Sequence, residues 1–331
     1  MSSIAHVVVH SSQFPDAVQR DLVESIRLRQ VNHKFLYDSL KQTRKWLALH
    51  RAFAPSRTDV DCAAIYDRSF AEAAVRITAP SVHLIGLGCG GGQKDTRLLA
   101  LMKQTGRQVA YTPCDVSSAM VLVARQAALS VIPEEHSCPY VCDLAAMPDF
   151  AEIAETDHCA SEGRARLVTF FGMIPNFEPE QILSRLITLL RPGDFLLISA
   201  NLSPGADYDL GVAKILPLYD NALTRDWLMT FLLDLGFEEA DGKLQFQIES
   251  DPTGSQLKRV AAYFHFQRPS EISIENERFE FLAGEQIRLF FSYRHTPDWL
   301  CAALDKHRLK VMEQWITQSQ EEGVFLATRA V

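Results

Sequence analysis

The stretch Val82–Arg97, "VHLIGLGCGGGQKDTR", places five glycines within seven residues, directly after an apolar run. An apolar run that ends in glycines predicts a buried strand, a tight turn and then a helix. Glycines let the backbone N–H groups of such a turn come close to a ligand. Gly86, Gly88 and Gly91 fit G-x-G-x-x-G, a pattern shared by loops for several cofactors and by tight turns that bind none.

Short apolar runs and amphipathic segments alternate on either side of this loop. Further buried strands are predicted at 108–114, 140–144, 166–173 and 193–202. Amphipathic helices are predicted at 95–104, 117–129 and 178–190. Regular alternation of strands and helices predicts an α/β fold with a doubly wound parallel sheet.

Residues 203–290 interrupt that alternation. They contain a predicted helix over 224–235 and two alternating stretches, 243–249 and 258–268, that are typical of strands with one exposed face. Helical spacing also runs through 13–50. We therefore predict an inserted α+β lobe over this region, and helices near the N-terminus.

The C-terminal segment predicts a helix over 298–307 and strands over 309–317 and 323–331. The loop between these strands is too short for a parallel crossover, so we expect an antiparallel pair. A parallel sheet closed by an antiparallel strand is typical of class I methyltransferases and not of dinucleotide-binding dehydrogenases.

Composition limits the function classes. The 331 residues carry a net charge of -8, which argues against a nucleic-acid partner. No apolar run is long enough to cross a membrane, and no signal peptide is recognisable. The seven cysteines are scattered without C-x-x-C spacing, which predicts reduced thiols, a cytoplasmic protein and no metal site. A small molecule is the expected substrate, and the sequence leaves the oligomeric state open.

Polar residues follow three of the predicted strands. Asp115 ends the second strand, Asp143 ends the third and Asn176 follows the fourth. Ligands of open α/β sheets bind at the carboxyl ends of the strands, where a carboxylate can accept hydrogen bonds from ribose hydroxyls. Two successive acidic residues suit the nucleoside of S-adenosylmethionine, with ribose on Asp115 and adenine on Asp143. Each of the three side chains could instead cap the next helix.

Eight short blocks, from about residue 30 to the C-terminus, resemble the S-adenosylmethionine-dependent histidine Nα-methyltransferase family of ergothioneine biosynthesis. These blocks are "HKFLYD" (33–38), "PSRTD" (55–59), "GLGCGGGQKDTRLL" (86–99), "PCDVS" (113–117), "FFGMIPNFEP" (170–179), "LRPGDFLLIS" (190–199), "YDNALTRDW" (219–227) and "FLAGEQIRLFFSYR" (281–294).

The resemblance implies S-adenosylmethionine as cofactor and a substrate placed between a Rossmann-like core and a lobe built from the N-terminal segment plus the insertion. The predicted domains are therefore a Rossmann-like cofactor domain over 69–202 and 291–331, and a substrate lobe over 1–68 and 203–290. The implied cofactor-binding residues are Gly88, Gly90, Lys94, Asp115 and Asp143, and the glycine pattern adds Gly86. The implied substrate-pocket residues are Tyr37, Asn176, Tyr219 and Ser292. Tyr37 and Asn176 are the candidate catalytic residues, because either side chain could orient an attacking amine.

The chain departs from the family pattern at four positions. The family has an acidic residue where this chain has Gly86, and Asp95 looks inserted after Lys94. A glutamate that grips the substrate imidazole corresponds to Phe290, two residues before Ser292, and a pocket tyrosine corresponds to Phe53. A site that loses its hydrogen-bonding groups loses its discrimination, so we expect a substrate other than histidine.

Two reactions remain open for such an altered pocket. One is transfer of the methyl group to the amine of a small amino acid or amine other than histidine. The other is attack by the cofactor's own α-amine on its Cγ, which yields azetidine-2-carboxylate and methylthioadenosine. A protein that binds the cofactor without turnover is the third, non-enzymatic alternative.

Aromatic side chains could present ring faces to a cation in this pocket. The candidates are Tyr37, Phe53, Phe290, Phe291 and Tyr293. Neighbours in a strand point to opposite faces, so at most one of Phe290 and Phe291 lines the pocket, and Phe290 is favoured because it shares a face with Ser292. The alternative is that Phe53, Phe290 and Phe291 are core residues, as most aromatic side chains are.

Overall fold

The structure is a computed structural model that describes residues 4–155 and 163–330. Its helices are α1 (Pro15–Arg27), α2 (Leu40–Phe53), α3 (Pro55–Thr58), α4 (Val60–Arg76), α5 (Gln93–Gln104), α6 (Ser118–Ala128), α7 (Ala151–Ala154), α8 (Pro179–Leu189), α9 (Tyr208–Tyr219), α10 (Ala222–Asp234) and α11 (Pro297–Lys306). Its strands are β1 (Val8–Val9), β2 (Ser81–Leu87), β3 (Gln108–Asp115), β4 (Tyr140–Val141), β5 (Ala165–Phe171), β6 (Phe195–Asn201), β7 (Gly242–Ser250), β8 (Lys258–Phe266), β9 (Ser270–Ile274), β10 (Glu277–Phe281), β11 (Gln286–Arg294), β12 (Leu309–Ile316) and β13 (Glu322–Arg329).

The chain divides into two compact units. Unit 1 comprises the described parts of 1–13, 55–202 and 296–331, and unit 2 comprises 14–54 and 203–295. The predicted boundaries after residues 68 and 290 differ from these. Helix α4 begins before residue 68 and packs as one piece on the sheet of unit 1, with Ile65 and Phe70 in the same apolar cluster as Leu84. Strand β11 continues unbroken past residue 290 in unit 2.

Unit 1 is built on an eight-stranded sheet in the order β1-β4-β3-β2-β5-β6-β13-β12. The strands from β1 to β6 run parallel, β13 is antiparallel to β6, and β12 is antiparallel to β13. The predicted class I methyltransferase sheet with its closing antiparallel strand is confirmed.

Both faces of this sheet are covered. Ile85 and Leu196 lie in one apolar cluster with residues of α8 and α11. Their neighbours Leu84 and Leu197 lie in a second cluster with residues of α4 and α5. Because successive side chains of a strand point to opposite faces, burial on both faces requires continuous apolar runs. That requirement explains why the strands were recognisable in the sequence.

The described residues before position 14 belong to unit 1, although the sequence analysis assigned them to the lobe. Val8 and Val9 of β1 pair in parallel with Tyr140 and Val141 of β4. Gln13 Nε2 donates to the carbonyl oxygen of Val116 at 3.1 Å. A two-residue strand is too short to show periodicity, so this pairing was not predicted.

Unit 2 is an α+β unit, as predicted for the insertion. Its main sheet has the antiparallel order β11-β8-β7, and β9 and β10 form a separate hairpin. An apolar cluster joins Ile26 of α1 and Trp227 of α10 to Phe264 and Ile287 of this sheet. Helix α9 and the β9–β10 hairpin were not predicted from the sequence.

The remaining sequence expectations concern the oxidation state of the cysteines, metal sites and membrane-spanning helices. Free thiols are present at Cys62, Cys89, Cys114, Cys142 and Cys301. Cys138 is disulfide-bonded, so the prediction of reduced thiols is wrong for Cys138. In the described ranges no three His, Cys, Asp or Glu side chains are grouped for a metal ion, and no helix is both long and apolar enough to cross a bilayer.

Candidate functional site

The glycine loop joins β2 to α5 in unit 1. Gly88, Gly90 and Gly92 have φ angles of 63°, 51° and 71°, a region that side chains with a Cβ rarely adopt. The N–H of Cys89 donates to the carbonyl oxygen of Cys114 at 2.9 Å, which ties the loop to the end of β3. The loop therefore has backbone conformations that favour glycine at Gly88, Gly90 and Gly92.

Asp115, at the end of β3, lies directly beneath this loop. Its Oδ2 accepts from the N–H of Gly90 at 3.1 Å, and its Oδ1 accepts from the N–H of Ser117 at 3.0 Å. Burial raises the pKa of Asp115 to about 6, and these backbone donors oppose that rise. Asp115 thus holds the loop, and its carboxylate is stabilised by the backbone N–H groups of Gly90, Val116 and Ser117.

Asp143 follows β4 and is held by its own loop and by the N-terminal segment. Its Oδ1 accepts from the N–H of Ala145 at 2.8 Å, and its N–H donates to Ser12 Oγ at 3.0 Å. The side chain is buried. The contact with Ser12 places residues of the N-terminal segment beside a predicted adenine-binding residue, a relationship with no signal in the sequence.

Asp95, in the first turn of α5, is buried under the start of the loop. Tyr111 Oη donates to its Oδ2 at 2.7 Å, and Thr169 Oγ1 donates to its Oδ1 at 2.8 Å. Burial raises the pKa of Asp95 to about 6. Its carboxylate occupies the space next to the Cα of Gly86, where a side chain at position 86 would lie.

Lys94 and Asn176 lie at the carboxyl ends of the central strands. Lys94 Nζ is 3.9 Å from the centroid of the Tyr66 ring, and burial lowers the pKa of Lys94 while Glu322 opposes that effect. Asn176 ends a 3₁₀ turn directly after β5. The side chain of Met173 in the same segment lies over the glycine loop, where a Cβ on Gly88 would come within 2.5 Å of its Cγ.

Three of the predicted pocket residues lie together in unit 2. Tyr219 Oη donates to Ser292 Oγ at 2.8 Å, and Arg294 donates to the same Tyr219 oxygen at 2.8 Å. The Phe290 ring is 7% exposed and lies 6.2 Å from the Tyr219 ring and 5.8 Å from the Trp227 ring, centroid to centroid. The structure therefore brings Tyr219, Phe290 and Ser292 into one cluster.

His33 belongs to this cluster, although sequence reasoning assigned it no role. Its ring is 5.2 Å from the Phe290 ring with only 13° between the planes. The N–H of Phe291 donates to His33 Nε2 at 3.2 Å, so the proton of the neutral ring sits on Nδ1. Burial, reinforced by Arg288 and Arg259, lowers the pKa of His33 to about 3. Its one sequence signal was its position at the edge of the block "HKFLYD".

The other predicted aromatic residues have different surroundings. The Tyr37 ring lies 5.4 Å from the Trp227 ring, which itself contacts Phe290. Phe53, at the end of α2, is 53% exposed and lies outside the apolar cluster that contains Phe290. Its place in a substrate pocket stays a prediction.

Phe291 and Tyr293 already face cations of the protein. The guanidinium carbon of Arg259 is 4.6 Å from the Phe291 ring centroid and 5.5 Å from that of Tyr293. Arg288 lies 5.1 Å from the Phe291 centroid. These rings are therefore occupied by arginines, whereas Phe290 packs against other rings.

A family model described as "Histidine-specific methyltransferase, SAM-dependent" matches residues 16–329. The chain belongs to this family. The resemblance found in the sequence is confirmed, and S-adenosylmethionine is the cofactor. The glycine loop and the buried Asp115 are compatible with that cofactor, because glycines let backbone N–H groups approach a ligand and a carboxylate can accept hydrogen bonds from ribose hydroxyls.

The individual proteins that this family member resembles share little sequence identity with it. The N-methyltransferase imqF of Aspergillus flavus is 27% identical over 257 residues, which cover 73% of this chain and 66% of imqF. This chain therefore spans slightly less than two thirds of that relative. Magnesium protoporphyrin IX methyltransferase from Synechocystis PCC 6803, with bound SAH, is 13% identical, with 89% of this chain and 97% of that chain covered and a TM-score of 0.48.

A second solved structure is the 1,6-didemethyltoxoflavin-N1-methyltransferase of Burkholderia thailandensis, with 1,6-didemethyltoxoflavin and S-adenosylhomocysteine bound. It is 13% identical, with 87% of each chain covered and a TM-score of 0.43.

Proposed function

We propose that this protein is a S-adenosylmethionine-dependent methyltransferase whose acceptor is the amine of a small amino acid or amine other than histidine. The observation that carries the proposal is the surroundings of Phe290, which stands where the resembling family has an imidazole-gripping glutamate. The ring is buried among the rings of His33, Tyr219 and Trp227. An aromatic cluster offers no carboxylate to pair with a substrate imidazole, which argues against histidine.

The proposed cofactor contacts follow from unit 1. Gly86, Gly88 and Gly90 form the loop, Asp115 accepts hydrogen bonds from the ribose hydroxyls, and Asp143 contacts the adenine. Lys94 is a further cofactor-binding residue. These roles rest on the family resemblance and agree with the position of Asp115, whose carboxylate accepts from the N–H of Gly90 in the loop. The cofactor supplies an electrophilic methyl group on a sulfonium.

The proposed substrate contacts are Tyr37, Phe53, Asn176, Tyr219, Phe290 and Ser292, with Tyr37 and Asn176 orienting the attacking amine. The amine must be neutral to attack, and burial in an apolar environment lowers the pKa of an ammonium. The nitrogen forms a bond to the methyl carbon while the carbon–sulfur bond breaks. The electron pair stays on sulfur as S-adenosylhomocysteine forms, and the product amine releases a proton. Alignment of the two reactants supplies most of the rate.

Azetidine-2-carboxylate synthesis is the second candidate, and the packing of Phe290 favours it specifically. A position filled by stacked rings leaves less room for an external acceptor. The α-amine of the cofactor would then form a bond to its own Cγ, and the Cγ–sulfur bond would break. Sulfur keeps the electron pair in methylthioadenosine, and the nitrogen loses a proton.

Mass spectrometry of the purified protein with S-adenosylmethionine separates these candidates. Incubation with the cofactor alone should leave it intact, and a panel of amino acids and amines that includes histidine should release S-adenosylhomocysteine with a non-histidine member. Methylthioadenosine with azetidine-2-carboxylate in the absence of an acceptor would establish cyclisation instead. The Asp115→Asn variant controls for spontaneous decay, which gives homoserine lactone. Preferential methylation of histidine would contradict both candidates.

The same proposal extends to the setting of the enzyme. We propose a cytoplasmic location, where the cofactor is made, and a small-molecule substrate with no nucleic-acid partner, in line with the net charge of -8. We propose that unit 2 acts as the substrate lobe and unit 1 as the cofactor domain that the sequence predicts.

A further inference from the structure

The carboxylate of Asp95 fills the space in which a side chain at position 86 would begin. A Cβ placed on Gly86 would collide with Asp95 Oδ2 and would lie 3.1 Å from Asp95 Cγ. Gly86 has an ordinary strand conformation, so its lack of a side chain is not required by its φ angle. Glycine is therefore required at 86 because Asp95 occupies the neighbouring space.

Two strands hold this carboxylate in place. Tyr111 of β3 donates to Oδ2 at 2.7 Å and Thr169 of β5 donates to Oδ1 at 2.8 Å. These strands are the two neighbours of β2, which carries Gly86. Both donors aim at acceptor oxygens, an arrangement that suits an ionised carboxylate. Asp95 is 3% exposed.

A buried carboxylate is expensive to maintain. Removing a charge from water costs free energy that two neutral hydroxyl donors return only in part. The first turn of α5 adds some stabilisation through its unpaired N–H groups and the helix dipole. The ammonium of the preceding residue, Lys94, also favours the ionised carboxylate and opposes the rise in its pKa caused by burial, so the start of α5 carries one charge of each sign beside the glycine loop.

We propose that Asp95 supplies, from helix α5, the acidic group that strand β2 lacks at position 86, and that this negative charge positions the cationic cofactor at the glycine loop. The cofactor carries positive charge on its sulfonium and on its α-ammonium. Asp95 acts through the loop as a positioning residue, and Gly86 is the partner that makes room for it. The carboxylate of Asp95 lies where a side chain at position 86 would begin.

The first test is Asp95→Asn, with isothermal titration of S-adenosylmethionine and of S-adenosylhomocysteine. The expected result is about tenfold weaker binding of S-adenosylmethionine, in keeping with the loss of one charge-assisted contact. The thermal midpoint should stay the same or rise, because a buried charge is removed. A lower midpoint with unchanged affinity would show that Asp95 has a structural role only, and would overturn the proposal.

The second test moves the carboxylate from position 95 to position 86. Gly86→Asp should lose cofactor affinity and lower the thermal midpoint, because its Cβ and its charge meet Asp95. The double variant Gly86→Asp/Asp95→Ala should recover both quantities relative to Gly86→Asp. A double variant no better than Gly86→Asp would overturn the exchange. If Gly86→Asp does not fold, folding of the double variant is the readout.

Asp305→Asn is the matched control, since Asp305 is an exposed aspartate of unit 1 on α11. It should change neither affinity nor midpoint. All readouts are binding and stability, so they test Asp95 independently of which reaction the enzyme catalyses.

Discussion

The imidazole of His33 lies parallel to the ring of Phe290, with 5.2 Å between the centroids and 13° between the planes. The backbone N–H of Phe291 fixes the tautomer of that imidazole by donating to its Nε2. One face of Phe290 is therefore covered by a histidine of the chain itself. This contact makes Phe290 a structural centre of unit 2 as well as a proposed pocket residue.

Phe290→Ala should destabilise unit 2 strongly. Truncating a buried phenylalanine removes packing and leaves a cavity, with a typical cost of about 3–5 kcal/mol. Phe53→Ala is the matched control, because Phe53 is 53% exposed and should cost no more than about 0.5 kcal/mol. Urea unfolding followed by fluorescence measures both. Equal shifts for the two variants would contradict the assigned burial.

Gly88→Ala should abolish cofactor binding. The substitution combines an unfavourable φ of 63° with a Cβ that would come 2.5 Å from Met173 Cγ. Gly106→Ala separates the two effects, because Gly106 has a φ of 83° and open space around its Cα. We expect Gly106→Ala to lower the thermal midpoint modestly and leave S-adenosylhomocysteine affinity unchanged. Comparable loss of affinity in both variants would disprove a specific role for the loop at Gly88.

Affinity for S-adenosylhomocysteine should fall below pH 6. The pKa of Asp115 is raised by burial to about 6, so its carboxylate is ionised above that pH and protonated below it. A protonated carboxyl is a weaker acceptor for ribose hydroxyls. Titration calorimetry between pH 5 and pH 8 should show this loss, and Asp115→Asn should bind weakly throughout with a smaller pH dependence. An identical pH profile in wild type and Asp115→Asn would refute the assignment.

Acid should destabilise the protein partly through His83. This residue of β2 is buried, its Nε2 lies 2.7 Å from Thr112 Oγ1, and burial lowers its pKa from 6.5 to about 3. The folded state keeps His83 neutral while the unfolded state binds a proton, so stability is lost as the pH falls from 6.5 towards 3. The slope is about 1.4 kcal/mol per pH unit for such a group.

His83→Gln should therefore reduce the difference between the thermal midpoints at pH 7 and pH 5. His6→Gln is the control, because His6 is exposed. A difference unchanged by His83→Gln would exclude His83 as a source of acid sensitivity.

Most of the sheet could be predicted because its strands are buried on both faces. The strand predicted over 82–87 is observed over Ser81–Leu87, and the one predicted over 166–173 is observed over Ala165–Phe171. Helix α9 escaped prediction because Gly211 and Pro217 interrupt its apolar pattern. Strand β1 escaped because two residues carry no period.

The candidate site was predictable only where one segment determines it. The glycine loop and Asp115 follow from the sequence of a strand, a turn and the next strand. The proximity of Asp95 to Gly86 depends on how α5 packs beside β2, and alignment to the family pattern showed Asp95 merely as an extra residue. The stacking of His33 on Phe290 joins residues more than two hundred positions apart, and no local pattern records such a contact.

The antiparallel strand β13 sits between β6 and β12, while residues 203–295, the larger part of unit 2, are encoded between β6 and β13. During synthesis, β6 therefore leaves the ribosome long before the strand that will cover its free edge. Until then the backbone groups along that edge of β6 are unpaired and can pair with other nascent chains. Folding of unit 1 should consequently depend on chaperones or on rapid folding of residues 203–295. Slower translation of these residues should increase aggregation.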